Sequence, residues 1–144
     1  MNRSNNPCDY PQWVCWNPAN GKAPIQINGW PASVRNPSHW ATYDNAVEAA
    51  NRNGWGIGFV LTKDDPFVVI DLDKSNLPEN YAKHQEILKR FSETYQERSP
   101  SGNGFHIWCI GTLPKNGIRR DSIEMYFAER YFTITGNGNG KAII

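Results

Sequence analysis

Apolar positions along the chain recur with two rhythms, and the changes between them predict the elements. Gln12-Trp13-Val14-Cys15-Trp16 reads as a first strand, and Asn17 to Gly21, with Pro18, as a turn. Ala23 to Ile27 reads as an edge strand, because Pro24 cannot donate to a ladder. Thr42 caps a first helix, with Asp44 in its first turn, Val47 and Ala50 at helical spacing, and Asn53-Gly54 as its stop. Ile57 to Leu61 and Phe67 to Leu72 are two strands joined by Thr62 to Pro66, the pattern of a hairpin with a five-residue loop. After Pro78, the residues Tyr81, His84, Leu88, Phe91 and Tyr95 keep a 3–4 spacing, which predicts an amphipathic helix over residues 79–93. Three more strands follow at Phe105 to Ile110, Ile123 to Phe127 and Tyr131 to Thr135. Ser99 to Gly104 reads as a polar link, and Gly111 to Ser122 as a loop.

Strand side chains alternate between faces, so parity sorts the strand residues into two sets. One set is apolar: Val68, Ile70, Leu72, Phe105, Ile107, Cys109, Ile123, Met125, Phe127, Phe132 and Ile134. The other is mixed, and it holds Asp71, Asp73, His106, Trp108, Glu124 and Tyr126. Two helices covering the apolar face would give a two-layer α/β sandwich, an α+β arrangement whose second face stays more open.

That second face carries the chemistry. Asp71 and Asp73 end an apolar run with Cα atoms about 6.6 Å apart, a natural spacing for sharing hard cations. The stretch from Asp71 also imitates a calcium loop, but its sixth position is Asn76 rather than Gly and its twelfth is Ala82 rather than Glu. Three carboxylates share this face with a histidine, and carboxylates that close repel unless something positive lies between them. Magnesium or manganese is the economical answer for an all-oxygen set. Ser101-Gly102-Asn103-Gly104, just ahead of His106, can cradle phosphate oxygens. Metal, phosphate cradle and neighbouring cations together are the apparatus of phosphoryl or nucleotidyl transfer.

Length and charge narrow the picture. With 144 residues the expectation is a flexible leader over residues 1–11 and a single domain over residues 12–144. The formal charge of +1 excludes a global basic field, so any polyanion site is local. No run reaches membrane-spanning length and the start lacks a signal-peptide core. Cys8, Cys15 and Cys109 form no CxxC pair and fit reduced thiols, so the expected location is cytoplasmic.

The ordered segments Gly56 to Thr62, Asp64 to Asp73, Ser99 to Ile107, Ile123 to Tyr126 and Arg130 to Gly136 resemble the primase–polymerase (prim-pol) domains of phage and plasmid replication proteins, within the archaeo-eukaryotic primase superfamily. Trp13-Val14-x-Trp16, Gly21-Lys22 and Asn36-Pro37-Ser38-x-Trp40 resemble the leader region of the same family, and the likeness spans residues 12–136. The resemblance implies the prim-pol fold, an RNA-recognition-like catalytic sheet with an N-terminal α/β extension. It assigns Asp71 and Asp73 to the first metal-binding motif, Glu124 to the third, and His106 to the second, where it contacts the nucleotide triphosphate. Arg130 stands as a further phosphate contact. The superfamily's second motif often has Ser two residues before His; Gly104 stands there, and the longer Ser-Pro-Ser-Gly pattern moves the hydroxyl role to Ser101.

The function expected is therefore template-directed DNA primase or polymerase activity. Asp71, Asp73 and Glu124 would hold two Mg2+ or Mn2+ ions, and Ser101, Gly102, Gly104, His106 and Arg130 would bind the nucleoside triphosphate. Lys22, Lys115, Arg119 and Arg120 would meet a DNA template or primer. A replicative helicase, in the same chain or a separate one, is the expected partner, since such domains usually continue into more sequence. The rival readings are a metal-dependent nuclease, which has no need of a triphosphate cradle, and a truncated, non-catalytic nucleic-acid-binding module.

Overall fold

The computed structural model describes residues 4–144. Its helices and strands run β1 (Trp13–Trp16), β2 (Pro24–Ile25), α1 (Tyr43–Asn53), β3 (Gly56–Leu61), β4 (Phe67–Leu72), α2 (Pro78–Arg90), β5 (Gln96–Arg98), β6 (Phe105–Ile110), β7 (Ile118–Arg120), β8 (Ile123–Tyr126) and β9 (Arg130–Ile134). The strands form two antiparallel sheets, ordered β2-β1-β3-β9 and β5-β6-β4-β8-β7, in an α+β architecture. The chain divides into two compact units. The first runs up to Lys63 and takes in Ala128–Ile134; the second comprises Asp64–Phe127 and Thr135–Ile144.

In the first unit aromatic packing sets the register. Trp13 lies opposite Phe59, and Phe59 opposite Phe132. The Trp13 ring meets Phe59 edge-on at 5.3 Å and Tyr43 at 4.9 Å, the T-shaped geometry that ring quadrupoles favour. α1 turns its buried alanines, Ala46, Ala49 and Ala50, toward β1 and β3. Thr42 Oγ1 accepts from the Asn45 N–H, and Gly54 closes the helix in the left-handed conformation at φ 71°. As expected, β2 is an edge strand.

The expected leader falls partly outside the described residues, at residues 1–3. From Ser4 onward the stretch is hydrogen-bonded: Ser4 Oγ donates to Asp9 Oδ2 at 2.6 Å, Pro7–Asp9 make a 3-10 turn, and Trp13 Nε1 donates to the Pro7 carbonyl at 3.0 Å. Burial raises the thiols of Cys15 and Cys109 to about 11, so both stay protonated and pack as small hydrophobes.

In the second unit α2 covers one face of the five-stranded sheet. Ile70, Leu72 and Ile107 form its centre, flanked by Ile87 and Leu88 from the helix and by Phe105, Cys109, Ile123 and Met125. This is the apolar parity set of β4, β6 and β8. Each of the three central side chains contributes about 1.5–3 kcal/mol by leaving water.

Three expectations need correcting. β3 and β4 do not make a hairpin: β3 pairs with β1 and β9, while β4 pairs with β6 and β8. A strand has two edges, and both edges of each are filled by other partners. Asp65, whose Oδ1 accepts from the Phe67 N–H at 2.9 Å, shapes the entry into β4 instead. In consequence β9, with Phe132 and Ile134, belongs to the other sheet, and each sheet has its own helix. β7 lies in the segment read as a loop and β5 between the predicted helix and the polar link, because both are three-residue polar edge strands without an apolar alternation.

Candidate active site

Register in the five-stranded sheet builds a transverse row. Glu97 on β5 lies opposite His106 on β6, His106 opposite Asp71 on β4, Asp71 opposite Glu124 on β8, and Glu124 opposite Arg119 on β7. Residues directly opposite in an antiparallel sheet share a face with Cβ atoms about 4.5–5.5 Å apart. The row is thus one ionisable side chain per strand, across all five strands. The next row on the same face is apolar, where Val69 lies opposite both Trp108 and Tyr126. Val69 and Trp108 are fully buried, so this end of the face is not open as parity alone suggested. The Phe67 and Trp108 rings meet edge-on at 6.3 Å. The charged row borders an apolar floor, which strengthens every Coulomb interaction along it.

Within the row, two neighbours carry like charge: Asp71 and Glu124. Each also faces a cationic or protonatable group on its outer side. His106 Nε2 stands 3.6 Å from Asp71 Oδ1. Arg119 donates to Glu124 Oε1 through Nε at 3.2 Å and Nη2 at 3.0 Å, and the Tyr126 hydroxyl donates to the same oxygen. These contacts hold the Arg119 guanidinium more firmly protonated, with the Tyr126 hydrogen bond first and the Glu124 carboxylate second. Asp73 is exposed one step beyond the end of β4, and its N–H donates to the Ser122 carbonyl at 3.0 Å, which ties it to the residue two before Glu124.

The donor set can be tested against a hard divalent cation. Among the described residues, no three His, Cys, Asp or Glu side chains are already gathered as a cage. Glu124 Oε1 is engaged by Arg119 and Tyr126. The chemistry fits nonetheless: Asp71 and Glu124 are adjacent on one face, both are partly exposed, and Asp73 follows on the same parity. All donors are oxygen, as magnesium and manganese prefer. Arg119 supplies the positive charge that Glu124 now meets, from the side away from Asp71.

The glycine loop joins β5 to β6 as a tight, internally bonded turn. Ser99 N–H donates to the Gly104 carbonyl at 2.9 Å, Gly104 N–H to Ser99 Oγ at 3.1 Å, Gly102 N–H to the Ser99 carbonyl at 2.9 Å, and Asn103 N–H to Ser101 Oγ at 3.2 Å. The amides of residues 102–104 are therefore used inside the loop, and the Ser101 hydroxyl, on an exposed residue, is engaged there too, by the Asn103 N–H and by Ser99 Oγ at 3.2 Å. Arg98 braces the turn, donating to the Gly102 carbonyl at 3.1 Å while its guanidinium carbon lies 4.9 Å from the Phe105 ring centroid.

Gly104 has a direct steric role. A Cβ there would stand 2.4 Å from the Leu72 carbonyl oxygen and 3.5 Å from the Asp73 Cα. A serine side chain has no room here. Gly104→Ser should cost about 1–3 kcal/mol, since the obstacle is backbone that cannot step aside. Urea denaturation checks this, and an unchanged midpoint would show that the loop yields freely.

The remaining site candidates are not members of the row. Lys115 and Arg120 are exposed in the second unit; Arg120 lies opposite Ile123, so it faces away from the carboxylate row that Arg119 joins. Lys22 and Arg130 are exposed and belong to the first unit, Arg130 opposite Leu61 in the β3–β9 pair. Sequence reasoning missed Glu97, Ser99 and Tyr126. The Glu124-x-Tyr126 spacing did place that pair on one face. Glu97, fully buried and accepting from Tyr95 OH at 2.9 Å and from Thr135 N–H and Oγ1 at 2.7 and 2.6 Å, sits in a strand too short to be seen.

No model of a known protein family matches the chain. A curated DNA primase-polymerase from Nitratiruptor phage NrS-1 is 41% identical over 140 residues, which is 88% of this chain. The resemblance to prim-pol domains is shown. This prim-pol-like region spans about a fifth, 19%, of the length of that phage protein. Among the described residues of the prim-pol-like chain, no helix is long and apolar enough to cross a membrane.

Proposed function

We propose that this prim-pol-like chain carries the nucleotidyl-transfer centre of a DNA primase or polymerase, acting with a DNA template and nucleoside triphosphates in phage or plasmid replication. The observation that carries the reading is the register row, in which Asp71 and Glu124 are directly adjacent and His106 stands on the outer side of Asp71. The printed name of the phage relative supports the same class of activity.

Asp71, Asp73 and Glu124 would hold Mg2+ or Mn2+. The bound ions would lower the pKa of the attacking 3′-hydroxyl and offset charge on the triphosphate and the departing pyrophosphate. His106 is 94% buried, with Nε2 beside Asp71, so it enters the site as a fixed donor rather than a swinging one. Its proton would meet a phosphate oxygen next to the carboxylates. The Ser101 hydroxyl would meet another, and Arg130 is the further phosphate contact of this reading. Arg119 would leave Glu124 as a divalent ion arrives, and its freed guanidinium, with Lys115, Arg120 and Lys22, would be available to nucleic-acid phosphates. A replicative helicase supplied by the same or a separate chain would bring the template.

His106→Ala should weaken nucleoside triphosphate binding about tenfold, the scale of one charge-assisted hydrogen bond. Binding of single-stranded DNA should change by less than about twofold. Equilibrium titrations of both ligands measure this, and equal losses would make His106 a structural residue.

The direct test is template-directed incorporation at low salt, with magnesium or manganese and Asp73→Ala as the blank. Primer extension or de novo synthesis absent from the blank supports the proposal. Metal-dependent shortening of the strands would turn it toward a nuclease. DNA binding without either reaction would turn it toward a binding module.

A further inference from the structure

α2 presents two polar residues inward, Asn80 and His84, and His84 is the more deeply buried. His84 is fully buried, and both ring nitrogens are engaged. Nδ1 lies 2.6 Å from Ser75 Oγ, and Nε2 lies 2.8 Å from Ser122 Oγ. Burial lowers its pKa, with Lys83 acting in the same direction and Asp73 opposing, so the ring is neutral. It thus has one N–H and one lone pair, and the two serine hydroxyls match them in either tautomer.

The two serines lie in the segments that carry the carboxylates. Ser75 is two residues past Asp73, and its own N–H donates to the Asn103 carbonyl in the glycine loop at 2.7 Å. Ser122 is two residues ahead of Glu124, and its carbonyl accepts the Asp73 N–H at 3.0 Å. Between Asp73 and Ser75 the chain turns through Lys74 at φ 54°, a left-handed conformation that a lysine adopts only when its surroundings impose it. α2 imposes it from the same helix face: Asn80 Nδ2 donates to the Lys74 carbonyl at 3.0 Å. Lys83 closes the far side with an ion pair to Asp121 at 3.3 Å.

We propose that His84 is a positioning residue: from beneath the sheet it clamps the turn after Asp73 to the turn before Glu124, and through Ser75 it holds both against the glycine loop. This rests on reading the carboxylate row as a divalent-metal centre. His84 touches neither metal nor nucleotide; it sets the spacing of the groups that would. Apolar packing would serve a helix as well at this point, and a buried polar network is justified only by the geometry it specifies. Supporting residues one shell out from metal ligands are worth about 10–100-fold in metal affinity or activity.

The test uses the whole chain with His84→Phe, which keeps the ring volume and removes both hydrogen bonds, and Ser75→Ala and Ser122→Ala, each of which cuts one arm. Without metal, hydrogen exchange of the Asp73 and Ser75 amides reports the clamp. With metal, Mn2+ affinity is read by the fall of the free-ion electron paramagnetic resonance signal. The proposal expects exchange at those two amides to rise at least tenfold in His84→Phe while amides of β6 keep their protection. It expects Mn2+ affinity to fall about 10–100-fold. Each serine variant should show a smaller loss, and neither should add to His84→Phe, because all three remove the same connection. Unchanged exchange and unchanged Mn2+ affinity in a folded His84→Phe would overturn the proposal. So would serine losses that add in full to that of His84→Phe. A loss of protection spread evenly through β6 would also overturn it, by making His84 an ordinary core residue. If His84→Phe does not fold, the serine pair decides by the same readouts. A wild-type chain that binds no Mn2+ overturns the metal-centre reading and the positioning role with it, and the wild-type titration alone identifies that failure.

Discussion

Asp71→Asn should abolish template-directed incorporation, by roughly a thousandfold or more, while leaving the fold in place. Removing one carboxylate of a metal pair forfeits several kcal/mol of transition-state charge stabilisation, and each 1.36 kcal/mol is a factor of ten in rate. Stability should move in the other direction or scarcely at all. Asp71 faces Glu124 directly, and like charges opposite one another on a sheet are unfavourable. Two contacts moderate the relief: Arg119 already neutralises Glu124, and His106 Nε2 lies 3.6 Å from Asp71. The net effect without metal should lie within about 1 kcal/mol. A variant that lost activity by unfolding would show a collapsed urea midpoint, and one that kept activity would remove Asp71 from the site.

Template affinity should be weak and fall steeply with salt. The unit that holds the carboxylate row has nine Lys and Arg against ten Asp and Glu, a net charge of −1, although the whole chain is at +1. Four cations, Lys22, Lys115, Arg119 and Arg120, are the candidates for phosphate contacts. If all four engage a single strand, log K should fall against log salt with a slope of about −3, since each contributes about −0.7. Between 50 and 200 mM salt that is about a fiftyfold loss. Fluorescence anisotropy with a labelled single strand across a salt series measures the slope. A slope much steeper than this would mean that more of the cationic surface takes part, and a flat dependence would mean that stacking, not charge, holds the strand.

What sequence patterns reveal and conceal here follows from the range of each interaction. α1 was readable because its cap, Thr42, and its stop, Gly54, act within a turn of their own positions. The parity of β4, β6 and β8 was readable because alternation is local, and it correctly put Asp71, His106 and Glu124 on one face. Which strands become neighbours is decided by distant partners. β3 and β4 looked like a hairpin because they are close in sequence, yet Phe59 finds Trp13 and Phe132, and Ile70 finds Ile107 and Met125. The same limit hid the two ends of the charged row. Glu97 and Arg119 lie on three-residue edge strands whose only signature is the register they adopt. His84 kept the helical rhythm and so passed for a core position; its link to Ser75 and Ser122 spans 9 and 38 residues and has no local trace.

The central claim, that Asp71, Asp73 and Glu124 form a divalent-metal centre beside a triphosphate site, is tested most directly by crystals of this chain soaked with manganese and a nonhydrolysable nucleoside triphosphate. The account predicts anomalous manganese density among these three carboxylates, Arg119 displaced from Glu124, and His106 within hydrogen-bond distance of a phosphate oxygen. Manganese elsewhere on the chain, with Arg119 still donating to Glu124 and the nucleotide remote from His106, would contradict it.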